Sequence, residues 1–462
     1  MGTTDRKRPV YRSQSVLPVL LGPVGGTIVE KLTEDTSGAP APPARTVRRA
    51  TIGGHNPALD GLRALAVLTV LFHHMDLVPG GYLGVDLFLV LSGFLITGLL
   101  LAERDREGWI SLRAFWARRG FRLLPAFYIF VAAGIPLVLL VKDTDDQWQF
   151  LRNGLAAVFY VANIQRTLNP PDSGAWFGHV WTLSLEEQFY LLWPIALVLI
   201  CRSERWRRRL PEILISAVIL VLIWREILIG SGVANFRIYY APDTRCDSLL
   251  VGCLLATWRY EALRSSAGGR VLDGDLSRAT GRTAQLLSRA ASFGPLGLLG
   301  LVILFFTGPG LKGDPNWMAR GGYLLVAVLA SVAVLGADQH RPGWYDRVLS
   351  SRPAAWVGRI SYSLYLWHFP VTGVANDSLV PRFGRVPSAG AALVVSLGLA
   401  SASYYLVERP VQRRRPAWVN ARGTAPRRAR TSIVAPSAEP LLATTQPLAV
   451  SGEPEPARRL RS

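Results

Sequence analysis

The first apolar stretch of the chain carries Arg63, His73 and His74. Ionisable groups within bilayer-length helices are costly, which makes them functional candidates. On a helix, eleven residues come within about 20° of a whole number of turns, so Arg63 and His74 share a face, about 16 Å apart along the axis. His73 points about 80° away from that face and reads as a cap on the helix end. Arg63 also has a plain reading, as a side chain snorkelling to headgroups. Further along, Asp86 opens a second apolar block in Gly84-Val85-Asp86-Leu87-Phe88. In the segment from His179 to Trp193, helical spacing places His179, Thr182, Glu186, Tyr190 and Trp193 on one stripe. Glu187 falls on another face and is expected to meet headgroups. His368 lies late in Ser361-Tyr362-Ser363-Leu364-Tyr365-Leu366-Trp367-His368. Histidines and carboxylates gathered in one pocket are the equipment of general acid–base catalysis.

A separate cluster, Arg118, Arg119 and Arg122, precedes Leu123-Leu124-Pro125. Arg119 and Arg122 are three apart and share a helical face. Two readings stand: ordinary cytoplasmic positive charge, or a grip for a phosphorylated ligand, to which guanidinium groups are suited. The cysteines Cys201, Cys246 and Cys253 lie in or beside apolar segments, so neither a disulfide framework nor a metal site is expected.

The elements that must position these residues are membrane helices. Of the 462 residues 50% are apolar and only 18% charged, and the apolar residues come in blocks of bilayer-spanning length. That excludes a soluble globular enzyme and a disordered basic protein. The net charge of +19 raises the possibility of nucleic acid binding, but the arginines cluster between apolar blocks, as the positive-inside rule requires. No nucleic acid partner is expected. Apolar blocks at 62–78, 84–102, 123–141, 180–200, 211–229, 246–258, 293–309, 321–337, 354–373 and 388–407 give about ten transmembrane helices. With both termini cytoplasmic, 24 basic residues fall in inside loops and nine in outside loops. A span at 151–164 would break that bias, so 142–179 is expected outside, on the surface or re-entering the bilayer. The fold class is therefore all-α, a polytopic helical membrane protein of the plasma membrane. Its membrane domain runs over 56–415, between a basic N-terminal tail at 1–55 and a C-terminal tail at 416–462, both expected to be disordered. Within the first tail, Val16–Val29 is apolar but broken by Pro and Gly, and reads neither as a span nor as a signal peptide. This topology brings His74, Asp86, Glu186 and His368 to one side of the membrane.

These residues carry a family resemblance. Asn56 to Val67 followed by His74 resembles the Arg-X10-His motif of the acyltransferase-3 family of bacterial integral membrane acyltransferases, with His73 as an extra histidine beside it. Gly84–Phe88 with Leu91–Ile96, and Arg119–Pro125 with its Arg-X-X-Arg element, are similar to the next signatures. Trp181 to Pro194, Arg245 to Gly252, Ser361 to Pro370 and Glu408-Arg409-Pro410 resemble later blocks, so the match runs in order from about 56 to 415. Many members carry a fused extracytoplasmic hydrolase-like domain, and none is expected here.

The resemblance implies transfer of an acyl group, usually acetyl, from cytoplasmic acyl-CoA to a hydroxyl of a glycan, lipid or natural product, with no bound cofactor. The expected base is His74, oriented or charged by Glu186, with Asp86 in the same catalytic set. Arg119, Arg122 and Arg63 are the expected acyl-CoA contacts, and His368, Arg245, His179 and Tyr190 are further site candidates. The competing classes are a transporter or exporter, whose intramembrane charges would bind a solute without covalent change, and a scaffold protein.

Overall fold

The computed structural model describes residues 56–141, 144–168, 176–266, 276, 279–308, 317–339 and 341–420; the two expected tails lie almost wholly outside these residues. Among the described residues every regular element is helical. The first helix, α1 (Pro57–His73), starts at a well-formed cap: the Asn56 side chain accepts from the Ala58 amide at 2.9 Å, and Pro57 occupies the first helical position. It is followed by α2 (Gly84–Glu107), α3 (Leu112–Val141), the short α4 (Thr144–Val158) and α5 (Ala162–Leu168), and then α6 (Val180–Cys201). Next come α7 (Glu204–Arg208), α8 (Leu210–Gly230), α9 (Asn235–Tyr240), α10 (Pro242–Arg245) and α11 (Asp247–Ser266). The chain continues through α12 (Arg282–Ser292), α13 (Gly294–Thr307), α14 (Tyr323–Asp338), α15 (Trp344–Leu349) and α16 (Arg352–Arg359). Last are α17 (Ser361–Val374), α18 (Val380–Phe383), α19 (Arg385–Ser403) and α20 (Arg409–Arg413), with π-helical turns over Ala375–Leu379 and Tyr404–Glu408.

By length and apolarity five helical stretches can each cross a bilayer: Gly81–Glu107, Val180–Cys201, Leu210–Gly230, Met318–Asp338 and Arg385–Arg413. A sixth crossing is formed if α12 and α13, bent by 52°, count as one. The ten-span reading adds α1, α3, α11 and the α16–α17 pair. Exposed apolar side chains such as Leu220, Ile223 and Ile227 on α8, Ile303 and Phe306 on α13, and Val394 and Val395 on α19 form the outward faces suited to lipid.

At the centre, α2 packs on α11 with almost no side chain between the backbones. A Cβ at Gly93 would meet the Leu249 carbonyl oxygen at 2.1 Å, and one at Gly252 the Val90 carbonyl oxygen at 2.2 Å. In lipid, where apolar burial between helices gains little, such small-residue contacts let dispersion hold helices together. The same pair is clamped by charge. Arg245 donates to Asp86 at 3.1 Å, Ser248 donates to the other Asp86 oxygen at 2.9 Å, and Arg225 donates to Asp247 at 2.8 Å, all fully buried. The Arg245 guanidinium lies 3.8 Å above the Tyr323 ring centre, which ties in α14.

Candidate active site

Two cavities lie one above the other between α1, α2, α6 and α17, and they share Val85 and Tyr365 as walls. The first spans about 770 Å³, part of it open to solvent, and collects Arg63 from α1, Ser92 from α2, Arg119 and Arg122 from α3, and Glu186 and Tyr190 from α6. The Arg119 guanidinium lies 4.5 Å over the Tyr190 ring, and the α3–α6 contact is fixed by Trp116, whose indole donates to the Tyr190 carbonyl at 3.0 Å. Among the described residues no carboxylate forms an ion pair with Arg119 or Arg122, while Arg63 pairs with Asp60 at 2.9 Å. Glu186 accepts from the Tyr190 hydroxyl at 2.8 Å and also from Ser92, whose oxygen lies 2.9 Å from that of Tyr190. Arg63 is matched by Asp60 and Glu408 lies within electrostatic reach of Arg122, so the two α3 guanidiniums, held in no ion pair among the described residues, are the groups placed to meet a phosphorylated ligand.

The second cavity, of about 670 Å³, holds His73, His74, His179 and Arg166 among aromatic walls. The His74 and His368 ring centres are 5.4 Å apart, as are those of His179 and His368, and Phe369 lies 4.9 Å from both His74 and His179. His368 is fixed by the Tyr365 carbonyl, 2.6 Å from its Nδ1. The Asn376 amide, at the π-turn after α17, donates to the His74 carbonyl at 2.7 Å and anchors the end of α1. No described hydrogen bond uses the His74 ring, so its nitrogens are free to take a proton. His73 is placed as its phase requires, with Nδ1 3.2 Å from the Val78 carbonyl.

The stripe read from α6 runs through both cavities, and that is where the sequence reading and the structure part. Glu186 was expected to orient His74, but the two line different cavities. The tier between them is Thr182 and Tyr365, which contact each other, and Tyr365 also donates to the His179 carbonyl at 2.7 Å. Asp86 lines neither cavity, because Arg245 and Ser248 occupy its carboxylate oxygens; Arg245 is likewise taken up in that clamp. Glu187, expected at the headgroups, is half-buried: its Oε1 is buried without a hydrogen-bond partner among the described residues, within electrostatic reach of Tyr160 at the α4–α5 turn and of Tyr362. The expected donor-side set of Arg63, Arg119 and Arg122 does come together, and Glu186 and Tyr190 join it. His179 and His368 join His74.

Sequence reading missed Ser92, Tyr365 and Arg166 as cavity residues. It also missed Glu408, a buried acid that accepts from Ser363 on the π-turn before α20 and lies within electrostatic reach of Arg122. An acid in an apolar helix was the available signal for Glu408. Among the described residues no group of three or more His, Cys, Asp or Glu has the geometry to hold a metal.

If Asp86 is a clamp, Asp86→Ala strands a buried guanidinium and should destabilise the protein by about 3–5 kcal/mol. Thermal unfolding in detergent should show that loss, and Asp86→Ala with Arg245→Leu should recover part of it. An Asp86→Ala protein of normal stability and no activity would return Asp86 to the catalytic set.

Residues 56–405 match the family described as Acyltransferase domain. Peptidoglycan O-acetyltransferase OatA of Listeria monocytogenes is 31% identical over 373 residues, covering 77% of this chain and 56% of that protein. O-acetyltransferase OatA of Staphylococcus aureus is 32% identical over 369 residues, covering 78% and 57%. The chain thus spans a little over half the length of these curated relatives. No solved structure matches it.

Proposed function

The chain belongs to the acyltransferase-3 family, and from that premise we propose that it is a multi-pass plasma-membrane enzyme transferring an acyl group, acetyl by preference, from cytoplasmic acyl-CoA to a hydroxyl of a glycan. The observation that carries this reading is the pair of stacked cavities, one basic and one histidine-lined, meeting at Val85 and Tyr365.

Arg63, Arg119 and Arg122 hold the nucleotide phosphates, since burying those charges in hydrocarbon would be prohibitive. The pantetheine arm then extends past Tyr365 toward His74. A His74 ring nitrogen takes the proton of the acceptor hydroxyl while that oxygen attacks the thioester carbonyl. The new C–O bond gives a tetrahedral oxyanion. Its collapse breaks the C–S bond, and the departing CoA thiolate takes the proton from the His74 imidazolium. Glu186, held by Ser92 and Tyr190, belongs to the donor cavity in this scheme and tempers its charge. The glycan acceptor draws on the relatives named O-acetyltransferases, one of them for peptidoglycan.

The ten-span topology is part of the proposal: both termini and the arginine cavity inside, α4–α5 and the histidine cavity outside. In a background lacking native cysteines, Arg152→Cys on α4 and Leu286→Cys on α12, both exposed, should react with an impermeant thiol reagent from opposite faces. Labelling from one face overturns the topology.

The activity itself is tested with purified protein, acetyl-CoA and a glycan acceptor. Release of free CoA thiol matched by a glycan gain of one acetyl mass supports transfer. Solute movement across vesicles with no covalent change identifies a transporter instead.

A further inference from the structure

The histidine cavity contains a cation that the transfer scheme does not use. Arg166 projects from α5 into this cavity and is half-buried; its guanidinium makes no hydrogen bond or ion pair among the described residues. Its Cζ lies 5.4 Å from the centre of the Tyr240 ring. It lies close enough to His179 and Tyr365 for its charge to act on both. His179 is 3% exposed, with both ring nitrogens buried and the Leu366 backbone within hydrogen-bonding reach of the ring. Trp181, Tyr239 and Tyr240 also line the cavity, packed edge-to-face or tilted with ring centres 4.9 to 5.1 Å apart.

Each feature states a requirement of the ligand. Aromatic faces accept the C–H face of a flat, partly apolar ring such as a pyranose. An imidazole with a ring nitrogen to spare can donate to or accept from a ligand hydroxyl. A guanidinium with no counter-charge among the described residues, half out of water, suits a carboxylate or phosphate oxygen pair. We propose that this cavity takes a sugar bearing an anionic group beside the reacting hydroxyl, with Arg166 holding the anion, His179 a hydroxyl and Trp181, Tyr239 and Tyr240 the ring face. This rests on the acyl-transfer reading and names the class of its acceptor. Arg166 is a specificity residue here; it takes no part in bond making.

The test is direct binding, without acyl donor, to the full chain in phosphatidylcholine nanodiscs, read from tryptophan fluorescence. One probe pair is methyl glucuronoside and its methyl ester; the other is methyl glucoside 6-phosphate and methyl glucoside. In at least one pair the charged sugar should bind about tenfold or more tightly than its neutral mate, as expected for a charge-assisted, partly buried pair. The margin should shrink as salt rises. Arg166→Gln should bring the pair within twofold while leaving neutral-sugar affinity unchanged, and Arg166→Lys should keep part of the preference. Equal affinities in wild type, no binding of either sugar, or a preference unchanged in Arg166→Gln would overturn the proposal. So would Arg166-dependent binding of added phosphatidylglycerol with no discrimination between the sugars. Because no donor is present, discrimination without acyl transfer would keep this site and sink the transfer reading. Transfer with equal affinities would do the reverse.

Discussion

Replacing His74 with alanine is expected to lower turnover by about 10² or more, the usual scale for a lost general base. The expectation rests on three features of its surroundings. The ring is half-buried in the histidine cavity; its nitrogens are used by no described hydrogen bond; and its backbone is anchored from Asn376. The substitution should therefore remove the proton acceptor without loosening α1. His73→Ala is the matched control. His73 is engaged by the Val78 carbonyl, and its loss should cost only a few-fold. The measurement is kcat at saturating donor and acceptor, with expression and melting temperature matched. A His73 variant worse than the His74 variant would mean that the base is misassigned between the two.

The second large effect belongs to the opposite cavity. Arg119→Ala with Arg122→Ala removes two guanidiniums from α3 that no described carboxylate pairs with, and acyl-CoA affinity should fall by at least about 100-fold. Each lost charge-assisted contact to phosphate is worth about 1.5–3 kcal/mol. The penalty should be smaller for CoA lacking its 3′-phosphate and should shrink as salt rises. His74→Ala should bind acyl-CoA nearly as wild type does. Normal binding by the arginine variant, or lost binding by the histidine variant, would reverse the two ends.

Much of this arrangement was legible in the chain. The apolar blocks specify an all-helical membrane protein, and residue spacing gives the angular position of a side chain about its helix axis. Spacing sets Arg119 and Arg122 on one face and Glu186 and Tyr190 on one stripe, and the structure has all four lining one cavity. Spacing within a helix does not say at what depth its neighbours stand. His179 and Glu186 are seven residues apart, about 10 Å along α6, which is enough to place one in each cavity. Whether Glu186 would meet His74 or the arginines depended on where α1 and α3 dock against α6, a matter of tertiary packing.

Partners distant in sequence were hidden for the same reason. Asp86 has the look of a catalytic acid because nothing near it in sequence neutralises it. Arg245, which does, lies 159 residues away. Glu187 was expected at the headgroups because α6 alone cannot reveal that the α4–α5 turn packs beside it, where Gln188 donates to the Tyr160 carbonyl. The turn is made at Tyr160, which adopts a left-handed conformation with φ 54°, a state that a non-glycine residue seldom takes and that pattern reading does not anticipate.

The central claim is that donor and acceptor enter from opposite faces and meet at Tyr365. The most direct measurement uses sealed vesicles with the protein in one orientation and radiolabelled acetyl-CoA supplied on a single side. With acetyl-CoA on the face bearing Arg119 and Arg122 and the acceptor glycan only on the face bearing α4 and α5, labelled glycan should form. With the two exchanged, none should. Labelled glycan formed only when donor and acceptor share a face would contradict the account.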